Sequence, residues 1–248
     1  MSDWGQGAKN NTIGYGQGAC DNTIGWGTSQ KDNNSWSGDT DISGCSSAAG
    51  LAQIDNLNSM QFDGGSDYID LGTSLSLANE YTISCWININ NTTAGAKVII
   101  YKGTNTSTEF ALEVNRTSGK LSTLGASSGP VFTSNTTLAP GVWYHAALTK
   151  AVVGGIKTYT FFLNGQPDGT GTTTVAPNYL SGITAIGRFG SSSGGYFNGS
   201  IDEVGLFNTA LTEAEVQSIY NATAVVDGVN KTADLSQLTT PPVAWYRM

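Results

Sequence analysis

The sequence predicts an all-β protein: an antiparallel jelly-roll sandwich with one short C-terminal helix and an extended N-terminal arm. Three observations predict it. Apolar and polar residues alternate with a period of two across residues 57–221, the spacing that sends successive strand side chains to opposite faces. Charged residues make up only 12% of the 248, while 32 glycines and abundant Ser, Thr and Asn suit short strands and tight turns. One stretch carries a complete helix-start signature, and no other helix intervenes between the strands.

The elements follow in chain order. Residues 1–44 repeat themselves: Trp4, Tyr15 and Trp26 recur at a step of eleven, each followed by Gly, and the segment closes in "SGDTDISG". It has periodic aromatics but almost no aliphatic residues, so it cannot offset its own ordering entropy. Residues 45–56 read as a linker. In "YTISCWININ", Ile83, Cys85, Ile87 and Ile89 share one face, with Thr82, Ser84, Trp86 and Asn88 on the other. In "VWYHAALTK", Val142, Tyr144, Ala146 and Leu148 alternate with Trp143, His145 and Ala147. Tyr159, Phe161 and Leu163 lead into Asn164-Gly165, a two-residue hairpin signal. "SGITAIGRFG" and "GSIDEVGLFN" add two more strands. In "ALTEAEVQSIY", Thr212 and Glu215 form a capping box, with Leu211 and Val216 as the flanking staple, and the short helix is expected against a sheet edge. Residues 222–248 read as a linker, broken at Pro241-Pro242, and the start of a further domain.

Composition also excludes. A net charge of −8 with scattered basic residues argues against nucleic acid, whose phosphates demand clustered Lys and Arg. No run of eighteen apolar residues is present to span a membrane. "MSDWGQGAKNN" lacks the charged start and apolar stretch of a signal peptide, so classical secretion is not expected, and Asn-x-Ser/Thr sequons such as those at Asn91, Asn115 and Asn198 reflect composition. Cys20, Cys45 and Cys85 are an odd, widely spaced set that makes neither a disulfide framework nor a zinc site; Cys85 reads as a buried hydrophobe.

Six motifs then stand in one order: "MQFDGGSDYIDLG", "YTISCWI", "GVWYHAALTK", "TFFLNGQPDG", "AIGRFG" and "YFNGSIDEVGLFNTALTEAEV". Residues 57–221 thereby resemble the laminin G-like, concanavalin A-like jelly-roll superfamily. The resemblance implies a glycan- or protein-binding module, with glycosidases a minority. It implies calcium held at the sheet rim by Asp63, Asp67 and Asp202, oxygen donors suited to a hard cation; Asp39 and Asp41 are a weaker cation candidate. The paired-acid signature of the hydrolytic relatives, Glu-x-Asp-x-x-Glu, does not occur. Glu109 and Glu113 share a strand face and are expected to be a solvated surface; His145 is expected to be structural. No enzyme activity is expected. A sugar platform would draw on Trp86, Trp143, Tyr196 or Phe197, each also suited to a core.

The opening segment, "TIGYGQGACDNTIGWGTSQKDNNSWSGDTDISG", resembles a leader at the start of virion proteins of tailed bacteriophages. The resemblance implies a virion protein whose arm binds other capsid or tail proteins through Trp4, Tyr15 and Trp26, by strand addition with aromatic anchors. The sandwich is then displayed as a fibre, decoration protein or adhesin for host glycans, in an expected homo-oligomer. The alternative is a secreted or surface bacterial carbohydrate-binding module.

Overall fold

The computed structural model describes residues 58–91, 97–104, 107–124, 131–175, 182–190, 194–223 and 234–248. The repeat with Trp4, Tyr15 and Trp26, the pair Asp39 and Asp41, and Cys20 and Cys45 lie outside the described residues.

Thirteen strands are described: β1 (Met60–Asp63), β2 (Ile69–Asp70), β3 (Tyr81–Ile89), β4 (Lys97–Thr104), β5 (Ser107–Val114), β6 (Lys120–Leu124), β7 (Val131–Thr137), β8 (Trp143–Val153), β9 (Ile156–Leu163), β10 (Gln166–Thr173), β11 (Ile183–Ile186), β12 (Asn198–Phe207) and β13 (Ala244–Tyr246). One sheet runs β1-β12-β3-β8-β9-β10, with β13 also on β12; the other runs β2-β11-β4-β5-β6-β7. Their inner faces form one core. Ile83, Cys85, Ile87 and Ile89 of β3, Ala146 and Leu148 of β8 and Phe161 of β9 meet Ile99, Ile100, Phe110, Leu112 and Ile186 of the facing sheet. This is the predicted jelly-roll sandwich, with the predicted faces inward. Burying one such Ile or Phe contributes about 1.5–3 kcal/mol. Cys85 is fully buried, its Sγ against the Ala146 carbonyl, and burial pushes its thiol up.

Local chemistry sets the connections. Asn164 and Gly165 both take positive φ, 50° and 76°, as the tight β9–β10 turn requires. The helix α1 (Glu213–Thr223) starts on its capping box: the Glu215 amide donates to Thr212 Oγ1 at 3.3 Å, and the Thr212 amide donates to Glu215 Oε2 at 2.7 Å. Its apolar stripe, Val216, Ile219 and Ala222 with Leu211 before it, packs on Ala147, Phe162 and Phe207 of β8, β9 and β12. The helix therefore covers the outer face of the first sheet, not its edge, because that face carries its own apolar row.

The C-terminal segment joins the same sheet. Within 222–248, β13 pairs antiparallel with Val204–Leu206 of β12, continuing the edge that β1 occupies along Asn198–Ile201. Between them β12 bulges at Asp202 and Glu203, with Glu203 at φ 51°. Both bulge carboxylates are buried and bind the C-terminal segment. Glu203 accepts from Trp245 Nε1 at 2.5 Å and Arg247 Nε at 3.1 Å, and Asp202 accepts from the Met248 amide at 2.9 Å. Residues 244–248 thus add a strand and its anchoring contacts to this sandwich.

Candidate functional site

The rim of the sandwich where β1 ends is built around one aspartate. Asp63 Oδ1 accepts from the amides of Gly65 and Ser66, both at 2.8 Å, and of Asp67 at 3.0 Å, while Oδ2 accepts from Ser66 Oγ. The Ser66, Gly65 and Asp67 amides hold the Asp63 carboxyl well below the usual carboxylate range. Asp67 answers by accepting from the Asp63 amide at 3.1 Å. The loop closes on β12: Gly64 has φ 77°, and a Cβ there would lie within 2.7 Å of the Asn198 side chain. Asn198 Nδ2 donates to the Asp63 carbonyl, and its Oδ1 accepts from Asn90 Nδ2 at 2.8 Å.

This hydrogen-bonded turn presents Tyr68, which stays 42% exposed. A second segment meets it. Gly187 sits so close to the turn that a Cβ would lie 2.6 Å from the Phe62 ring and 3.3 Å from the Asp67 carbonyl. The next residue, Arg188, lays its guanidinium over Tyr68, 3.6 Å from the ring centroid. The Phe197 amide bonds the Gly187 carbonyl and the Phe189 amide bonds the Gly194 carbonyl, so half-buried Tyr196 lies opposite Arg188 between these bonds. Phe189 packs edge-on to Tyr101 at 5.3 Å, on a small cluster with Val98 and Ala111. The rim thus offers an exposed aromatic ring, a flat cation and side-chain amides within one patch.

Of the anticipated sugar platforms, Phe197 is core, edge-on to Phe62 at 6.2 Å. Trp86 lies beneath α1, stacked on Tyr220 at 6.0 Å and 5.6 Å from His145. Trp143 is half-buried at the start of β8, paired across to Asn88. Tyr68 and Arg188 were missed by sequence reasoning. The available signal was Tyr68 alternating outward beside Ile69 and Leu71, and an arginine wedged after Gly187.

The anticipated calcium ligands separate. Asp63 and Asp67 share the turn, but Asp202 lies in the β12 bulge, four residues from the Asn198 that pairs with Asp63, or about 13 Å along the strand. Among the described residues no group of three or more His, Cys, Asp or Glu is arranged to hold a metal.

Glu109 and Glu113 are not a solvated surface; both are buried. Glu109 pairs with Lys102 at 3.4 Å and accepts from Ser76 Oγ at 2.7 Å, and Glu113 accepts from Ser122 Oγ at 3.0 Å. Burial pushes the Glu113 carboxyl up. The two have separate partners. His145 Nε2 meets Ser84 Oγ at 2.9 Å, but both residues are buried under the helix, and burial brings the imidazole down to about 3. A buried, neutral histidine there holds strands and helix together.

Sequence comparison agrees with this architecture. The family described as the Concanavalin A-like lectin/glucanases superfamily matches residues 63–217. The chain belongs to that superfamily. No curated protein matches it by sequence. Among solved structures, this lectin-like chain is similar to a carbohydrate-binding candidate from Bacteroides ovatus ATCC 8483, with 20% identity and a TM-score of 0.55 over 78% of this chain and 52% of that one. It is similar to the CBM40 module of the Ruminococcus gnavus IT-sialidase, solved bound to α2,3-sialyllactose: 15% identity, TM-score 0.55, 68% of this chain and 98% of that one. It is also similar to domain 4 of a GH43 extracellular arabinanase from Geobacillus stearothermophilus, solved with arabinotriose: 21% identity, TM-score 0.52, 67% and 79% covered. At these identities the likeness is one of fold.

Proposed function

We propose that the sandwich is a glycan-binding module that recognises sugar at the Tyr68–Arg188 rim and does so without turnover. The observation that carries this reading is the exposed tyrosine ring backed by a guanidinium on the edge of a lectin-type fold. A sugar's apolar face stacks on such a ring, while nearby charged and amide side chains take its hydroxyls. The turn under Tyr68 is held by four hydrogen bonds to Asp63, so the ring is ordered before a ligand arrives, which lowers the entropic cost of binding.

The module's deployment follows from the leader. Its resemblance to phage virion leaders supports an arm that grips capsid or tail proteins and displays the sandwich, as a homo-oligomer, toward host glycans. Mass spectrometry of purified particles tests this: the chain is expected among the particle proteins, and its absence overturns the virion placement. The second reading, a secreted or surface bacterial module, is favoured by the fold's likeness to bacterial carbohydrate-binding modules. It predicts the chain in culture supernatant or on the cell surface. Both deployments share one test of the site itself. A glycan array probed with the full chain should give ligands whose signal is lost in Tyr68→Ala, and an array without any ligand overturns the glycan reading.

A further inference from the structure

We infer that Arg188 makes this rim selective for sugars that carry a carboxylate. The inference rests on the glycan reading above and adds the chemical class of the ligand.

Among the described residues no carboxylate forms an ion pair with Arg188. Its guanidinium is stacked on Tyr68, and its Nε is buried with no hydrogen-bond partner. The acids of the adjoining segment are engaged elsewhere. Asp63 Oδ1 holds the amides of Gly65, Ser66 and Asp67, Asp67 Oδ2 holds the Asp63 amide, and Asp70 Oδ1 holds the Gly72 amide at 2.8 Å. Each carboxylate thus accepts hydrogen bonds from the backbone of its own loop.

Two other cations of the sandwich have carboxylate partners. Lys102 sits against Glu109, and Arg247 has both an aromatic ring, Trp245 at 5.3 Å, and a carboxylate, Glu203 at 3.1 Å. Arg188 has the ring alone. In a chain with 19 acidic and 11 basic residues, a guanidinium that escapes pairing stands against the prevailing charge. Stacking fixes its plane, and an immobilised guanidinium edge offers parallel N–H donors that match a carboxylate better than a hydroxyl. A uronic or sialic-type residue supplies that carboxylate together with a ring for Tyr68. The sugar ring and its acid group are then read by two adjacent side chains.

The test is calorimetric titration of the full chain with two acidic probes, α2,3-sialyllactose and trigalacturonic acid. Lactose and the methyl-esterified trigalacturonate serve as neutral counterparts, with inorganic phosphate as a plain anion. At least one acidic probe is expected to bind about tenfold more tightly than its neutral counterpart, with the margin shrinking in high salt. Arg188→Gln should bring the acidic-to-neutral ratio toward one, and Arg188→Lys should restore part of it, since Lys keeps the charge but loses the fork. The variants' melting temperatures establish that they fold. Equal affinity for acidic and neutral sugars, or a ratio unmoved in Arg188→Gln, overturns the inference while leaving the glycan reading standing. Phosphate binding as tight as the acidic sugars overturns it too, reducing the site to a general anion contact. If no sugar binds, including any ligand found on the array, both fall together.

Discussion

Two clusters in this molecule combine aromatic rings with a basic side chain, and they are built for different ends. Under the helix, Trp86, His145 and Tyr220 lie within 6.0 Å of one another, and the basic group is stripped of charge by burial. On the rim, the Arg188 guanidinium lies over the Tyr68 ring at 3.6 Å, and Tyr68 stays 42% exposed. The difference is solvent. Burial converts an aromatic–base cluster into a fastener, and exposure leaves it able to meet a ligand. Substitutions in the first cluster should therefore change stability, and substitutions in the second should change binding.

The largest effect is expected at Trp86. Trp86→Ala opens a cavity between β3 and α1, and chemical denaturation should show a loss of about 3–5 kcal/mol. A loss under 1 kcal/mol would mean that the helix does not seal this face. Glu203 comes next, since removing it leaves Trp245 and Arg247 without their shared acceptor. Glu203→Ala should cost about 1–3 kcal/mol and raise hydrogen exchange in β13, with Arg247's partial exposure favouring the lower end.

His145 gives the comparison a pH signature. Its folded value, about 3, lies below its ordinary 6.5, so on acidification the unfolded chain takes up a proton that the folded chain refuses. This contribution is intact above pH 6.5 and declines as pH falls from there toward 3, at up to about 1.4 kcal/mol per pH unit. His145→Gln should flatten the stability curve over that window relative to the wild type; parallel curves would remove the buried-histidine account. The smallest effect is at the helix start, where Thr212→Ala should cost about 1 kcal/mol.

How much of this was readable beforehand depended on the range of the interaction. The faces of β3, β8 and β9 were plain because one side of each carries the core with a period of two. The Asn164-Gly165 turn and the Thr212–Glu215 box were plain because their chemistry is confined to a few neighbouring residues. β4 hides its pairing, since "KVIIYKGT" is buried almost throughout and buried strands lose their alternation. Glu109 and Glu113 misled for a related reason: their partners, Lys102 and Ser122, arrive from neighbouring strands. Asp202 reads as an open rim ligand until Met248, just beyond β13, bonds it through its amide. Tyr68 and Arg188 are distant in the chain and meet only because Gly187 lets two loops touch, so no local motif announces the site.

The most direct measurement is the affinity of the full chain and its Tyr68→Ala variant for the strongest glycan on the array, with both melting curves recorded. The account predicts at least about a tenfold loss of affinity with the melting temperature held within about 2 °C. Undiminished binding by a folded Tyr68→Ala protein would contradict it and move the ligand away from this rim.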